Sequence, residues 1–259
     1  MSFGRSLKTL RTRAGMDRET LGKRLGYSAS TIASFEQGRR IPPPKAVDGA
    51  DSAVDAGGLL KEWKEPLEKA QYPAFFRGMA QLEKEAMELL AYDALVVNGL
   101  LQTEEYTRAL LAMRRPLLDE ETVEQRVTAR LARQDIFDRR PTPFLSFVMD
   151  EAVLRHRYGG TEVLRGQLKH LLLMGQRRNV EIQVMPTECE DNAGLGGPFI
   201  VLTRKDGKKF LYVEAQGTSS LVTEPERTVV AGARYGIIRS QALSARESLR
   251  FIEKLLGEL

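Results

Sequence analysis

The sequence predicts an α+β protein: an all-α N-terminal domain of short helices, then a larger helical domain containing a small, mainly antiparallel sheet. Three observations carry this. Apolar residues recur at helical spacing between Gly and Pro stops over the first 56 residues, the period turns to alternation after Pro143, and charge is divided unevenly along the chain. Residues 1–45 hold ten Lys/Arg against three Asp/Glu, whereas the remainder holds 29 against 32. The net charge of +4 over 259 residues is thus a head of +7 on a slightly acidic body of −3. A basic head of this kind suits a polyanion.

The elements follow in order. Leu7, Leu10 and Arg11 follow Phe3 at helical spacing, and Gly15 ends the first helix. Asp17 is a good N-cap for the second, with Glu19 in its first turn, Leu21 and Leu25 as its buried stripe and Gly26 as its stop. Ser28 caps a third helix over 29–37 with Ile32 and Phe35 inward; Gly38 ends it, and Pro42, Pro43 and Pro44 forbid continuation. A fourth helix is expected over 45–56, weakened by Gly49. Two short helices joined by a tight Gly-containing turn make a helix-turn-helix unit. The expected division is 1–57 for the head, a linker helix within 58–71 that carries Trp63 on its apolar face, and 72–259 for the body.

In the body, Met79, Leu82, Ala86, Leu89 and Leu90 form a 3.6-residue stripe and predict one helix, interrupted by Asn98-Gly99. Thr103 caps a further helix, and Asp119 caps one that runs to about Arg139. Strands are expected over 144–149, 180–185, 199–204 and 209–214, the last two joined by a hairpin through Asp206-Gly207. A helix fills 161–178, and Ser244 with Glu247 forms a capping box for the last one.

The run from Met16 to Gly22, the segment Ser28-Ala29-Ser30-Thr31-Ile32 and the exit Glu36-Gln37-Gly38-Arg39-Arg40-Ile41-Pro42 resemble the Xre-type, phage-repressor-like helix-turn-helix. The resemblance implies that the third helix enters the major groove, with Ala29, Ser30 and Ser34 toward the bases and Thr31 toward bases or backbone. Ser28 caps that helix at the DNA-facing end. Gln37, Arg39 and Arg40 fall where the family touches phosphates. Arg18 stands where the family usually has Gln and would act as a cation or a guanine reader. Because the other groove-facing residues are small, much of the specificity is expected from Arg18 and DNA shape. Glu36 is a structural brace, pairing with Arg11.

Leu82 to Ala86, Val97 to Tyr106, Arg126 to Gln134, Asp150 to Arg155 and Gly197-Pro198-Phe199 resemble, in order and spacing, the C-terminal domain of WhiJ-like Xre regulators of filamentous actinobacteria. That resemblance implies a developmental transcriptional regulator, usually encoded beside a small partner protein and sometimes likened to toxin–antitoxin pairs. Asn98, Gln102 and Tyr106 are candidates for a partner or effector surface, in a segment that equally suits a turn, two core leucines and a Thr cap. Arg126, Arg130 and Arg133 fall on one helical stripe that would meet an acidic partner or further DNA, or else form a solvated face paired with Glu124.

Several classes are disfavoured. Cys189 is the sole cysteine and His156 and His170 are the only histidines, so no disulfide framework and no metal site is expected. Asp150, Glu151 and His156 can be sketched as an acid–base site, but Asp150-Glu151 reads more simply as a cap and a helix-dipole match. No phosphate loop or nucleophile elbow appears, so neither a cofactor nor enzymatic activity is expected. Arg5, Lys8, Arg11 and Arg13 stand where an export signal needs apolar residues, and a cytoplasmic protein is expected, nucleoid-associated when bound.

The sequence therefore reads as a sequence-specific DNA-binding regulator, a dimeric repressor on a palindromic operator. Dimerisation is expected because one short helix of small side chains buries too little surface to bind tightly alone. The rival readings are an antitoxin-like module that mainly holds a small partner, and a metabolite-gated regulator.

Overall fold

The computed structural model describes residues 2–70, 72–73 and 76–259. The chain forms two compact units, Met1–Arg77 with Leu118–Arg126, and Gly78–Leu117 with Val127–Leu259. The first is built from α1 (Phe3–Arg13), α2 (Arg18–Leu25), α3 (Ala29–Gln37) and α4 (Pro44–Ala53). Phe3, Leu7, Leu21, Ile32, Phe35 and Val47 converge in one core, with Tyr27 edge-on to Phe35 at 5.5 Å. α4 starts on the proline run, Pro44 standing in its first turn where a missing N–H costs nothing.

The expected linker helix is instead part of this core. A 3₁₀ turn, Lys61–Trp63, leads into α5 (Lys64–Ala70). Leu60 is fully buried, and Trp63 and Leu67 pack half-buried against the same cluster. Asp51 fixes the reversal, its carboxylate accepting from the backbone N–H of Gly58 and of Leu60 at 3.0 Å each. Residue 71, at the end of the expected linker, lies outside the described residues.

The second unit contains α6 (Arg77–Glu85) from its second residue on, then β1 (Ala86–Asp93) and α7 (Glu104–Ala112). The single helix expected through Leu90 therefore ends at Glu85. The run Leu89-Leu90-Ala91-Tyr92 becomes a central strand, paired in parallel with β2 (Phe144–Asp150) and antiparallel with β4 (Phe199–Arg204). Leu89 and Ala91 are buried on one face and Tyr92 on the other, and a strand buried on both faces has no alternation to show. α8 (Glu120–Ala132) starts on Asp119 as expected, but stops earlier and continues as a 3₁₀ segment, Arg133–Asp138.

After β2 come α9 (Glu151–Arg155), α10 (Thr161–Met174), β3 (Val180–Met185) and a 3₁₀ turn at Ala193–Gly196. β4, β5 (Lys209–Ala215), β6 (Thr218–Val222), α11 (Pro225–Gln241) and α12 (Ala245–Gly257) complete the unit. One six-stranded sheet runs β3-β2-β1-β4-β5-β6, parallel across β3-β2-β1 and antiparallel from β1 to β6. The body is α+β as expected, with a larger and more mixed sheet; β6 and α11 were not foreseen. α11 packs on the sheet through Ala231, Tyr235 and Ile238. Around the β3 edge, Val184 donates its N–H to Ser248 Oγ at 2.9 Å and accepts from Leu243 N–H at 2.9 Å. The Ser244–Glu247 capping box is present at the start of α12. Among the described residues, no helix is long and apolar enough to cross a membrane.

Candidate nucleic-acid interface

The head holds α2 and α3 in a helix-turn-helix through local hydrogen bonds. Asp17 caps α2, its carboxylate accepting the Thr20 N–H at 2.7 Å, a bond that holds this carboxyl below its ordinary pKa. Gly26 ends the helix at φ 75°, in the left-handed region. Gly22 is required by close approach: a Cβ there would stand 2.4 Å from the Tyr27 carbonyl oxygen. Ser28 caps α3, accepting the Thr31 N–H at 3.2 Å, and its hydroxyl lies 2.8 Å from that of Ser30 and 2.9 Å from that of Thr31.

Ser28, Ala29 and Ser30 are exposed at the start of α3, with Thr31 and Ser34 half-buried along it. Gln37, Arg39 and Arg40 are exposed at its far end. The exit loop is tied down because the Ser34 carbonyl accepts from the N–H of Arg39 at 3.0 Å and of Arg40 at 3.2 Å. Arg39 donates from its guanidinium to Gln37 Oε1, and the Arg40 guanidinium sits over the Phe35 ring at 5.9 Å. Gln125, in the same unit, donates to the Arg39 carbonyl at 2.9 Å. The structure thus brings all nine expected DNA-facing positions onto one module.

Glu36 is buried and does more than the expected pairing. Its Oε1 accepts from Arg11 Nε at 2.5 Å and its Oε2 from Arg18 Nε at 2.8 Å. Arg11 also donates to the Met16 carbonyl at 2.5 Å. Arg18, expected to act as a cation or a guanine reader, has its Nε committed to Glu36; among the described residues its two terminal amino groups have no hydrogen bond. The close contact of α1 with the end of α3 also went unforeseen. A Cβ on Gly4 would lie 2.4 Å from the Glu36 carbonyl oxygen, and a contact 32 residues away leaves no local sequence signal.

The candidates in the body are not placed as a surface. Asn98, Gln102 and Tyr106 are all buried. Asn98 Nδ2 lies 3.1 Å from both carboxylate oxygens of Asp93. Gln102 Nε2 donates to the Val97 carbonyl at 2.6 Å, and its Oε1 accepts from Arg130 at 2.7 Å and Thr107 at 3.1 Å. Tyr106 OH accepts the Val97 N–H at 3.4 Å. Burial pushes the Tyr106 hydroxyl up to about 12, and the Asp93 carboxyl up to about 7 against the two bonds from Asn98. These residues pin a loop from within, as a buried polar network must if its groups are to be satisfied.

The arginine stripe is divided as well. Arg133 forms a bidentate pair with Glu83 at 2.7 and 2.8 Å, largely out of water. Arg130 turns to Gln102, and burial with Arg133 nearby pushes its guanidinium down to about 10. Arg126 is half-buried. Asp150 accepts from Tyr92 OH at 2.9 Å, and Glu151 pairs with Arg155 at 2.7 Å and accepts the Thr187 N–H, partners that serve structure.

Residues 2–63 match a Helix-turn-helix domain, and residues 76–254 match the Domain of unknown function (DUF5753). No curated protein and no solved structure matches the chain. With more than half of its length in the second match, the chain belongs to the family of the Domain of unknown function (DUF5753), and it carries a Helix-turn-helix domain at its N-terminal side.

Proposed function

We propose that this protein is a DNA-binding transcriptional regulator of the WhiJ-like Xre type, a dimeric repressor in developmental control that works in the cytoplasm. The observation that carries the reading is the braced α2–α3 pair in a basic module, with its first turn exposed and Gln37, Arg39 and Arg40 at its exit. In the proposed complex, Ala29, Ser30 and Ser34 face the base edges and Thr31 lies beside them. Gln37, Arg39 and Arg40 hold phosphates. Arg18 offers its terminal amino groups to guanine or phosphate from a position set by Glu36. Small groove-facing side chains leave a large share of the selection to DNA shape. The body pairs two heads on an inverted repeat with half-sites about one turn, ~34 Å, apart.

Selection from random duplexes at about 0.15 M salt tests this, since phosphate-only binding is suppressed there. The expected product is an inverted repeat that the doubly substituted Arg39→Ala/Arg40→Ala protein fails to enrich. That variant should also bind with a shallower salt dependence, the log–log slope falling by about one for each phosphate-neutralising arginine removed. Failure of the unaltered protein to enrich any sequence overturns the reading.

A further inference from the structure

Cations gather along one edge of the six-stranded sheet. The turns 138–142, 176–179 and 204–209 hold eight Lys/Arg against two Asp/Glu, whereas the rest of residues 46–259 holds 21 against 30. Sheet topology brings these turns together. β2 and β3 begin at this edge in parallel, with Leu145 opposite Val180, and β1 begins beside β2 with Glu88 opposite Phe144. β4 runs the other way and ends here, Arg204 lying opposite Ala86, and β5 returns from here at Lys209.

Cross-ties fix the turns to one another. Arg177 pairs with Asp138 and sits over the Phe137 ring at 5.7 Å, and Asn179 donates to the Pro143 carbonyl at 3.2 Å. Arg204 pairs with Asp206 and, at 3.3 Å, with Glu85, while Arg139 donates to the carbonyls of Glu83, Lys84 and Ala86. The other cations are left over. Arg140, Arg178, Lys205, Lys208 and Lys209 are exposed, and among the described residues none of them has a carboxylate partner. Arg140 donates to the Thr142 hydroxyl, and the Lys208 ammonium lies 5.4 Å from the centre of the Phe210 ring. Like charges gathered in this way repel one another, although acids outnumber bases over the rest of the body.

We propose that this edge binds the phosphate backbone of duplex DNA without reading its sequence, a second grip in addition to that of the head. The assignment deepens the DNA-binding reading above and rests on it for the choice of a duplex. From β3 to β5 the edge crosses four strand spacings, about 19 Å at about 4.8 Å each. One strand of a duplex presents a phosphate about every 3.4 Å along its axis, so the row faces about half a helical turn. Cations borne on separate turns along a line suit a repeating anion, each meeting its own phosphate. A folded protein partner matches less well: such interfaces centre on apolar side chains, and these turns carry no exposed large hydrophobic. Three of the five free cations are lysines, compact charges that neutralise phosphate and lack the planar fork that reads a guanine edge.

Fluorescence anisotropy of a random-sequence duplex with the full chain, from about 50 to about 200 mM salt, tests this. Arg140→Ala/Arg178→Ala/Lys205→Ala/Lys209→Ala should lower the log–log salt slope by about 0.9 for each cation removed, with unchanged circular dichroism. Should the four together disturb folding, Arg178→Ala/Lys209→Ala carries the same test at about half the effect. Arg157→Ala/Lys169→Ala/Arg246→Ala/Arg250→Ala removes the same charge from exposed positions outside the three turns and should leave the slope unchanged. An unchanged slope in the edge variant, equal losses in the two sets, or tighter binding to phosphatidylserine–phosphatidylcholine vesicles than to the duplex overturns the proposal. The edge variant should still enrich the inverted repeat that the Arg39→Ala/Arg40→Ala protein loses, so failure of the edge and failure of the head are separate results.

Discussion

Glu36 is the residue on which the head's geometry turns, because one buried carboxylate satisfies a cation from α1 and another from α2 while riding on α3. Removing one member of a buried pair leaves the other charge uncompensated, which costs far more than the net worth of the pair. The Arg11 side chain is only 10% exposed, so Glu36→Gln should destabilise the head by about 3 kcal/mol, seen as a lower denaturant midpoint. The expected pairing with Arg11 was legible because the family pattern supplies it. The second bond, from Arg18, was not, since that position departs from the pattern and its partner is fixed only in three dimensions.

At the scale of elements, what could be read was what local hydrogen bonds decide. Asp17, Ser28, Thr103 and Ser244 all cap helices where the sequence places caps, and Gly26 and Gly38 end them. What could not be read depends on neighbours far along the chain. Leu89 and Leu90 fit a helical stripe equally well, and only β2 and β4 make them a strand. α11 hides for a different reason: with aliphatic residues on every side and two internal glycines, it has no amphipathic period. The packing of α1 on α3 belongs with these. Gly4→Ala would press a methyl group against two carbonyl oxygens, and the shift needed to relieve it should cost about 1–3 kcal/mol in chemical denaturation, although alanine is the better helix former.

The molecule as a whole consists of two units with separate cores, so heating should give two transitions, with Glu36→Gln moving only that of the head. Asp93, in the body, makes stability depend on pH near neutrality. Asp93 titrates near 7 when folded and near the ordinary 3.8 when unfolded, so between those limits the folded body holds a proton that the unfolded chain has released. Stability supplied by this group is therefore present at low pH and declines as pH rises from about 4 to about 7. Asp93→Asn should flatten that decline, and comparing the body's midpoint at pH 5 and pH 8 in both proteins measures it; equal slopes would remove Asp93 from the account. The head's division from the rest was only partly legible, because Leu60 and Trp63 join its core beyond the Gly57-Gly58 break.

The hydroxyls of Ser28, Ser30 and Thr31, which lie within hydrogen-bonding distance through Ser28, bear finally on kinetics. These contacts fix the hydroxyl orientations while leaving acceptor sites free, so in the proposed complex they would favour base edges whose groups match those orientations. There, phosphate contacts would hold the head on foreign DNA, and these are alike at every step along a duplex. The head would then search along a smooth landscape and stop where groove shape and the Arg18 guanidinium, held by Glu36, meet their match together.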